Sequence, residues 1–220
     1  MCGRYTLKSE LDALEQALGC APDEPLIPRY NIAPTQNVCV MRQGESGIGF
    51  ADLRWGLIPH WAKDKSVGSR MINARSETIA IKPSFKVPFR RRPCLLVADG
   101  YYEWRKDQDG RQPFYISRPD GLPFAFAGIW DRWHTAEMTI ESCAIITCAA
   151  NDAMKSLHAR MPVIIEQDAF AAWLAPDEPV SVREQLLKSP SDDYFSFAAV
   201  SKHVNSPRNE GAQCIASVTI

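Results

Sequence analysis

No apolar run in this 220-residue chain approaches a membrane span. Runs such as Cys94–Ala98 stop far short of the ~20 residues that cross a bilayer. The N-terminus lacks the basic start and apolar stretch of a secretory signal. The protein is therefore expected in the cytoplasm, with no membrane partner. Metal-binding patterns are also missing. There is no Cys-x-x-C and no His-Glu-x-x-His, Cys143 and Cys148 are too far apart for common zinc spacing, and His60, His134, His158 and His203 form no cluster. Neither a metal nor any other cofactor is expected. The chain has no G-x-x-x-x-G-K-[ST], no G-x-G-x-x-G and no G-x-S-x-G. ATP-binding, Rossmann and serine-hydrolase readings lose their usual support. Internal repeats, linkers and low-complexity tracts are absent as well.

What remains is an ordinary globular composition, 45% hydrophobic and 23% charged. The length suits a single domain over residues 1–220 with a core large enough to need no staples. Seven cysteines, an odd number without an export signal, are expected as reduced thiols. The formal net charge is only −1, but it is unevenly spread. Residues 54–92 carry ten Lys or Arg against two acidic residues (Asp64, Glu77), whereas the remainder carries 15 against 24. This asymmetry fits an anionic ligand such as nucleic acid. It fits equally a solvated face whose charges pair with the acidic remainder.

Periodicity outlines the elements. Leu11, Leu14 and Leu18 predict a helix over Leu7–Leu18 that stops at Gly19. Cys20–Pro34 reads as a Pro-rich connection. Val38–Arg42 and Ile48–Ile58 read as strands around a Gly44/Gly47 turn, followed by a basic loop over His60–Arg70. Cys94–Ala98 is a short apolar strand. Asp109-Gly110 is a hairpin signal. Further strands are expected at Pro113–Ser117, Pro123–Trp130, Cys143–Cys148, Pro162–Ile165 and Phe195–Val200. Asn151 is expected to cap a short helix through Leu157, Asp168 to cap a helix over Ala169–Leu174, and Ser181 with Glu184 to form a capping box. Many short strands with short helices between them predict one α+β domain, a mixed, strongly bent β-sheet or barrel with peripheral helices.

Several residues carry possible chemistry. Loss of Met1, usual before a small residue, would leave Cys2 at the N-terminus. Its α-amine and thiol would then form a 1,2-aminothiol, able to condense with an aldehyde and close a thiazolidine ring. The same pair could serve an N-terminal-nucleophile amidase, or position 2 could simply be the start of a frayed terminus. Asn73 and Arg75 face the same way on an extended segment. One could orient an amine or carbonyl and the other could hold a phosphate, or they could be a turn Asn and a surface Arg. Glu103, between Tyr102 and Trp104, suits proton transfer if its aromatic neighbours desolvate it, and Trp104 could stack on a base. Both could equally be strand-end residues. His158 could act as general acid or base, or cap a helix C-terminus. Trp55 and Trp61 flank Pro59-His60 beside the basic stretch, where aromatics suit single-stranded nucleic acid or the core. Arg90, Arg91 and Arg92 form a basic run. His60, His134 and His203 read as structural or surface residues.

In order along the chain stand Cys2-Gly3-Arg4-Tyr5, Tyr30-Asn31-Ile32-Ala33-Pro34, Trp55-Gly56, Asn73-Ala74-Arg75-Ser76-Glu77-Thr78, Asp99-Gly100-Tyr101-Tyr102-Glu103-Trp104 and His158-Ala159-Arg160-Met161-Pro162, with Val204-Asn205 and Asn209 near the end. This set resembles the SRAP family, the SOS-response-associated peptidases that process abasic sites, from Cys2 to about Ile215. The resemblance implies a mixed sheet or barrel fold, damaged single-stranded DNA or its junction with duplex as partner, and a thiazolidine crosslink from Cys2 to the ring-opened abasic sugar after autocatalytic Met1 removal. It further implies that Asn73 positions the amine or the sugar, that Glu103 assists proton transfer, and that His158 protonates the sugar hydroxyl. Arg4, Arg75 and Arg160 are implied as DNA-binding positions, with Trp104 near the lesion and Trp61 beside the duplex. One position departs from the pattern: some members carry a second aromatic after Trp61, where this chain has Ala62. A monomer is expected, associated with the nucleoid. Three other readings stand beside this one: a thiol peptidase or amidase acting on proteins through Cys2 and His158, a non-covalent reader of modified DNA bases, and an abasic-site lyase.

Overall fold

A β-strand needs a face to bury, and the apolar runs of this chain bury theirs in a closed ring. The computed structural model describes residues 2–45, 47–107 and 110–220. Its strands are β1 (Tyr5–Leu7), β2 (Arg29–Ile32), β3 (Asn37–Gly44), β4 (Gly47–Trp55), β5 (Asn73–Arg75), β6 (Pro93–Ala98), β7 (Gly100–Asp107), β8 (Gly110–Ser117), β9 (Phe124–His134), β10 (Thr139–Ala149), β11 (Arg160–Pro162), β12 (Ile164–Ile165) and β13 (Ser196–Ala199). Strands β4, β3, β6, β9 and β10 pair in that order, antiparallel throughout. A parallel pairing of β10 with β4, Cys143 opposite Trp55, closes the ring into a five-stranded barrel. Val40, Leu53, Trp55, Leu96, Phe126 and Ile145 belong to its core.

β6 is buried along its whole length. Its outer side is covered by the helix Phe170–Leu174, whose Trp173 donates its indole N–H to the Cys94 carbonyl at 2.9 Å. The other helices are short: α1 (Leu11–Leu18), α2 (Lys86–Arg91), α3 (Asp152–Lys155), then α4 (Phe170–Leu174) and α5 (Val180–Leu186).

A second antiparallel sheet runs β13-β8-β7-β1-β2. The chain passes from the barrel into this sheet at Asp99, between β6 and β7. The buried Asp99 carboxylate accepts from the Lys8 N–H and the Ser9 hydroxyl, and the Asp99 N–H donates to the Thr6 carbonyl at 2.9 Å. Gly100 follows because a Cβ there would lie 2.5 Å from the Tyr115 ring and hydroxyl. This corner lays the N-terminal strand across the mouth of the barrel. Short β5 and β11 pair with β10, and β12 pairs with β9.

The α+β barrel is as the sequence predicts, but several local boundaries move. Leu7 belongs to a strand, and the first helix begins only at Leu11. The Pro-rich connection hides strand β2. Pro162–Ile165 is two strands on different partners, not one. Asn151 caps α3 as expected, its side-chain oxygen accepting from Met154 N at 3.0 Å. Asp168 lies inside a 3-10 turn and caps nothing. Ser181 sits within α5, whose N-cap is Pro179, so there is no capping box. The β7–β8 hairpin is present, with Asp107 opposite Gly110. Asp109 of the hairpin signal, like Met1, lies outside the described residues.

Candidate functional site

The N-terminal segment reaches the seam between the two sheets. β1 pairs with β7, Tyr5 opposite Tyr101, and Tyr102 N extends the ladder to the Arg4 carbonyl at 3.0 Å. Cys2 lies beyond this point, wholly buried. From the barrel side, Asn73 on β5 donates its amide N–H to the Cys2 carbonyl at 2.9 Å. The Asn73 side-chain oxygen is buried with no hydrogen-bond partner among the described residues. The Cys2 thiol makes only a weak contact to the Arg4 carbonyl at 3.9 Å. Burial pushes its pKa far up, and the nearby charge of Glu103 pushes it further. Glu103 itself is 4% exposed. At this seam the structure brings Cys2, Asn73 and Glu103 together.

His158 is tied to Tyr101 through Met154. The Tyr101 hydroxyl donates to the Met154 sulfur at 3.7 Å, and the Met154 carbonyl receives His158 N at 3.0 Å. The His158 Nδ1 accepts from the Arg160 backbone N–H at 2.9 Å. The same nitrogen lies 3.0 Å from the Arg160 carbonyl, so the Arg160 backbone brackets the ring on both its polar groups.

Arg160 is held firmly. Its guanidinium forms a two-pronged ion pair with Glu77, and it also donates to the Thr147 carbonyl at 2.5 Å. This pair holds the Glu77 carboxyl below the usual range. Arg75, opposite Thr147 on β10, is exposed and makes no ion pair or side-chain hydrogen bond with another described residue.

Arg4 and Trp104 belong to a second cluster. Arg4 donates to the Asn31 side-chain oxygen at 2.6 Å, to the Val204 carbonyl at 2.9 Å and to the Asn205 carbonyl at 3.2 Å. Its guanidinium lies 5.9 Å from the centre of the Trp104 ring. The Trp104 indole N–H donates to the Asn205 side chain at 2.8 Å. Asn31, wholly buried, spends its own amide N–H groups on the carbonyls of Val204, Ser206 and Asn209. The scattered motifs around Arg4, Asn31, Trp104 and Val204-Asn205 are thus one structural knot. It fixes a C-terminal strap over the edge of the second sheet. The separations, up to 201 residues, explain why spacing in the sequence gives no hint of it.

The two candidate tryptophans part company. Trp55 is fully buried, donates to the Ile72 carbonyl at 3.0 Å and packs edge-on against Tyr5, so it is a core residue. Trp61 is 53% exposed and makes no ring contact with the described residues. Its loop is pinned to the barrel. Gly56, at φ +122°, approaches so closely that a Cβ would lie 2.7 Å from the Gly68 carbonyl. The charge question raised by the sequence also resolves. Of the ten Lys and Arg in residues 54–92, only Arg92 forms an ion pair among the described residues. The basic stretch is not neutralised by the acidic remainder.

Comparison with known proteins follows this geometry. The family described as SOS response associated peptidase (SRAP) matches residues 1–207. The chain belongs to that family. It is 39% identical over 224 residues to the abasic site processing protein YoqW of Bacillus subtilis, covering 99% of this chain and 100% of the relative. It is 31% identical over 229 residues to the abasic site processing protein YedK of Escherichia coli, again over 99% and 100%. A crystal structure of a Bacteroides thetaiotaomicron protein superposes with a TM-score of 0.87 at 23% identity, over 99% of this chain and 100% of that one. The last likeness establishes that the SRAP fold is shared. No helix among the described residues is long and apolar enough to cross a membrane, and no group of metal-ligating side chains occurs among them.

Proposed function

We propose that this SRAP protein processes abasic sites in single-stranded DNA by forming a covalent bond through Cys2. The observation that carries the proposal is the seam itself. Cys2 is enclosed beside a buried carboxylate, Glu103, and beside the buried, unpartnered amide oxygen of Asn73. After hydrolytic loss of Met1, the new α-amine of Cys2 is three bonds from the carbonyl oxygen that Asn73 already contacts. An amide oxygen there would accept a proton of that amine and orient its lone pair. The names of the curated relatives support the same substrate.

The chemistry balances without a cofactor. The amine adds to the C1′ aldehyde of the ring-opened sugar, and loss of one water gives an imine. The thiol then adds to the imine carbon while its proton passes to nitrogen, which closes a thiazolidine. The raised pKa keeps the thiol protonated at neutral pH, so the amine leads and the thiol follows. Glu103 carries the proton that leaves the amine and returns to the departing hydroxyl. His158 donates a proton to the sugar hydroxyl that opens from the ring. Arg75 and the basic residues without ion pairs among the described residues supply sequence-independent contacts to phosphate, and Trp104, half-buried beside Arg4, stacks on a neighbouring base. Arg160, engaged by Glu77, acts first by fixing His158 and reaches DNA only if Glu77 gives way.

The test is intact-mass spectrometry after incubation with a single-stranded oligonucleotide holding one abasic site. The expected product is protein lacking Met1 plus oligonucleotide minus one water, absent from Cys2→Ala. A correctly processed, folded protein that forms no such adduct overturns the proposal.

A further inference from the structure

Outside the seam, one histidine is held in a way its position does not require. His60 opens the basic loop, directly before Trp61. Its backbone N–H and its ring Nδ1 both meet the same oxygen of Asp131, at 2.9 Å and 3.0 Å. Asp131 has no exposure. Its other oxygen is occupied by the Arg92 guanidinium and by Arg132 N. A carboxylate so placed is anionic and accepts only, so Nδ1 of His60 is the donor. This fixes the ring tautomer and the ring plane. Nε2 is then the atom left for another partner, on a side chain that is 48% exposed.

The cost of burying a carboxylate argues that the arrangement is used. Arg92 alone would balance the charge. Adding His60 gains little stability from a half-exposed ring, but it gives the loop a rigid root at its first residue. A second tie follows two residues later, where the Trp133 indole N–H donates to the Ala62 carbonyl at 2.7 Å. Trp61, exposed and without a ring partner, stands between these two anchors. Beyond it a surface hollow of about 330 Å³ is lined by Lys63, Lys65 and Trp133 together with two acidic residues, Asp64 and Glu137. A rigid aromatic face is therefore flanked on one side by a fixed imidazole and on the other by lysines without ion pairs among the described residues. Alternating stacking surface and phosphate donors is what a nucleic-acid strand offers partners for.

We propose that His60 is a DNA-contacting residue that takes up a proton on binding, so that its Nε2–H, with Nδ1–H held by Asp131, donates to one backbone phosphate beside the base stacked on Trp61. The inference rests on the reading of single-stranded DNA as partner. Asp131 and Arg92 are positioning residues in this account, acting only through His60.

The experiment is a neutral-linkage scan. Single methylphosphonates are placed one by one along a single-stranded oligonucleotide whose register on the protein is set by one abasic site. Binding is measured for the wild type, His60→Ala and Trp61→Ala. One linkage position is expected to weaken wild-type binding about threefold to tenfold, the size of one charge-assisted phosphate contact, and to have no effect in His60→Ala. Asp131→Asn, where it folds, is expected to lose the same position. If every linkage has the same effect in wild type and His60→Ala, the assignment of His60 is wrong. A wild type that neither binds DNA nor forms the Cys2 adduct removes the underlying reading instead, so the two failures are distinguishable. Because the signal is the loss of one position rather than of affinity overall, a general loosening of the loop would not reproduce it.

Discussion

Arg183 has no exposure and forms no ion pair among the described residues, although the charge of Glu178 is near enough to favour its own. Its guanidinium donates to the carbonyls of Trp173 and Ala175 at the end of α4, and of Phe89 and Arg90 at the end of α2. Those carbonyls are the orphaned acceptors of two helix C-termini, where a cation is favoured. One side chain therefore closes two helices and holds them on β6 and β9. Arg183→Met should lower stability by about 3 kcal/mol, because the carbonyls stay buried without donors, and this is measurable by urea unfolding. A loss below ~0.5 kcal/mol would show that water replaces the guanidinium at no cost. At Cys2 the same physics acts on function. Full burial disfavours thiolate, which weakens the reading of a thiol-first peptidase and favours an amine-first reaction.

At the scale of elements, the strap over Val204–Asn209 is the part whose role exceeds its size. It has a single 3-10 turn, Lys202–Asn205, and depends on side chains from far away. Asn31 reaches three carbonyls with its two amide N–H bonds and accepts one hydrogen bond in the knot. Asn31→Ala should cost about 2 kcal/mol and raise amide hydrogen exchange selectively across residues 202–214 and around Arg4. Uniform loss of protection over the whole chain would show that the strap is not a separate unit. The sequence makes the long, periodic elements visible and hides those set by distant partners. Leu14 and Leu18 mark a helix face, and the run Cys94–Ala98 marks a strand buried on both sides. Leu7 reads as the start of the helix and Tyr5–Leu7 as no element, because three residues carry no period and only pairing with β7 makes them a strand. Arg29–Ile32 is masked by the prolines around it. Ser181 has the spacing of a cap, yet Pro179 starts the helix earlier and leaves that serine inside it.

For the molecule as a whole, chain order is folded into chemistry by one corner. Asp99 carries the chain from barrel to second sheet and so brings the N-terminus, β5 and β7 to one seam. Cys2, Asn73 and Glu103 each have a local sequence rationale, but their meeting is a product of topology. The charge asymmetry is legible in composition alone, while its freedom from internal ion pairs is not. His60 is hidden for a similar reason: a lone histidine has no signal until Asp131, 71 residues away, fixes it. The central claim is that one sugar carbon ends bonded to both nitrogen and sulfur of Cys2. Carbon NMR of the adduct, with the abasic C1′ labelled with carbon-13, reads that bond directly. The account predicts a tetrahedral carbon with the shift of an N,S-acetal. A trigonal imine signal, or the unchanged hemiacetal signal of the free sugar, would contradict it.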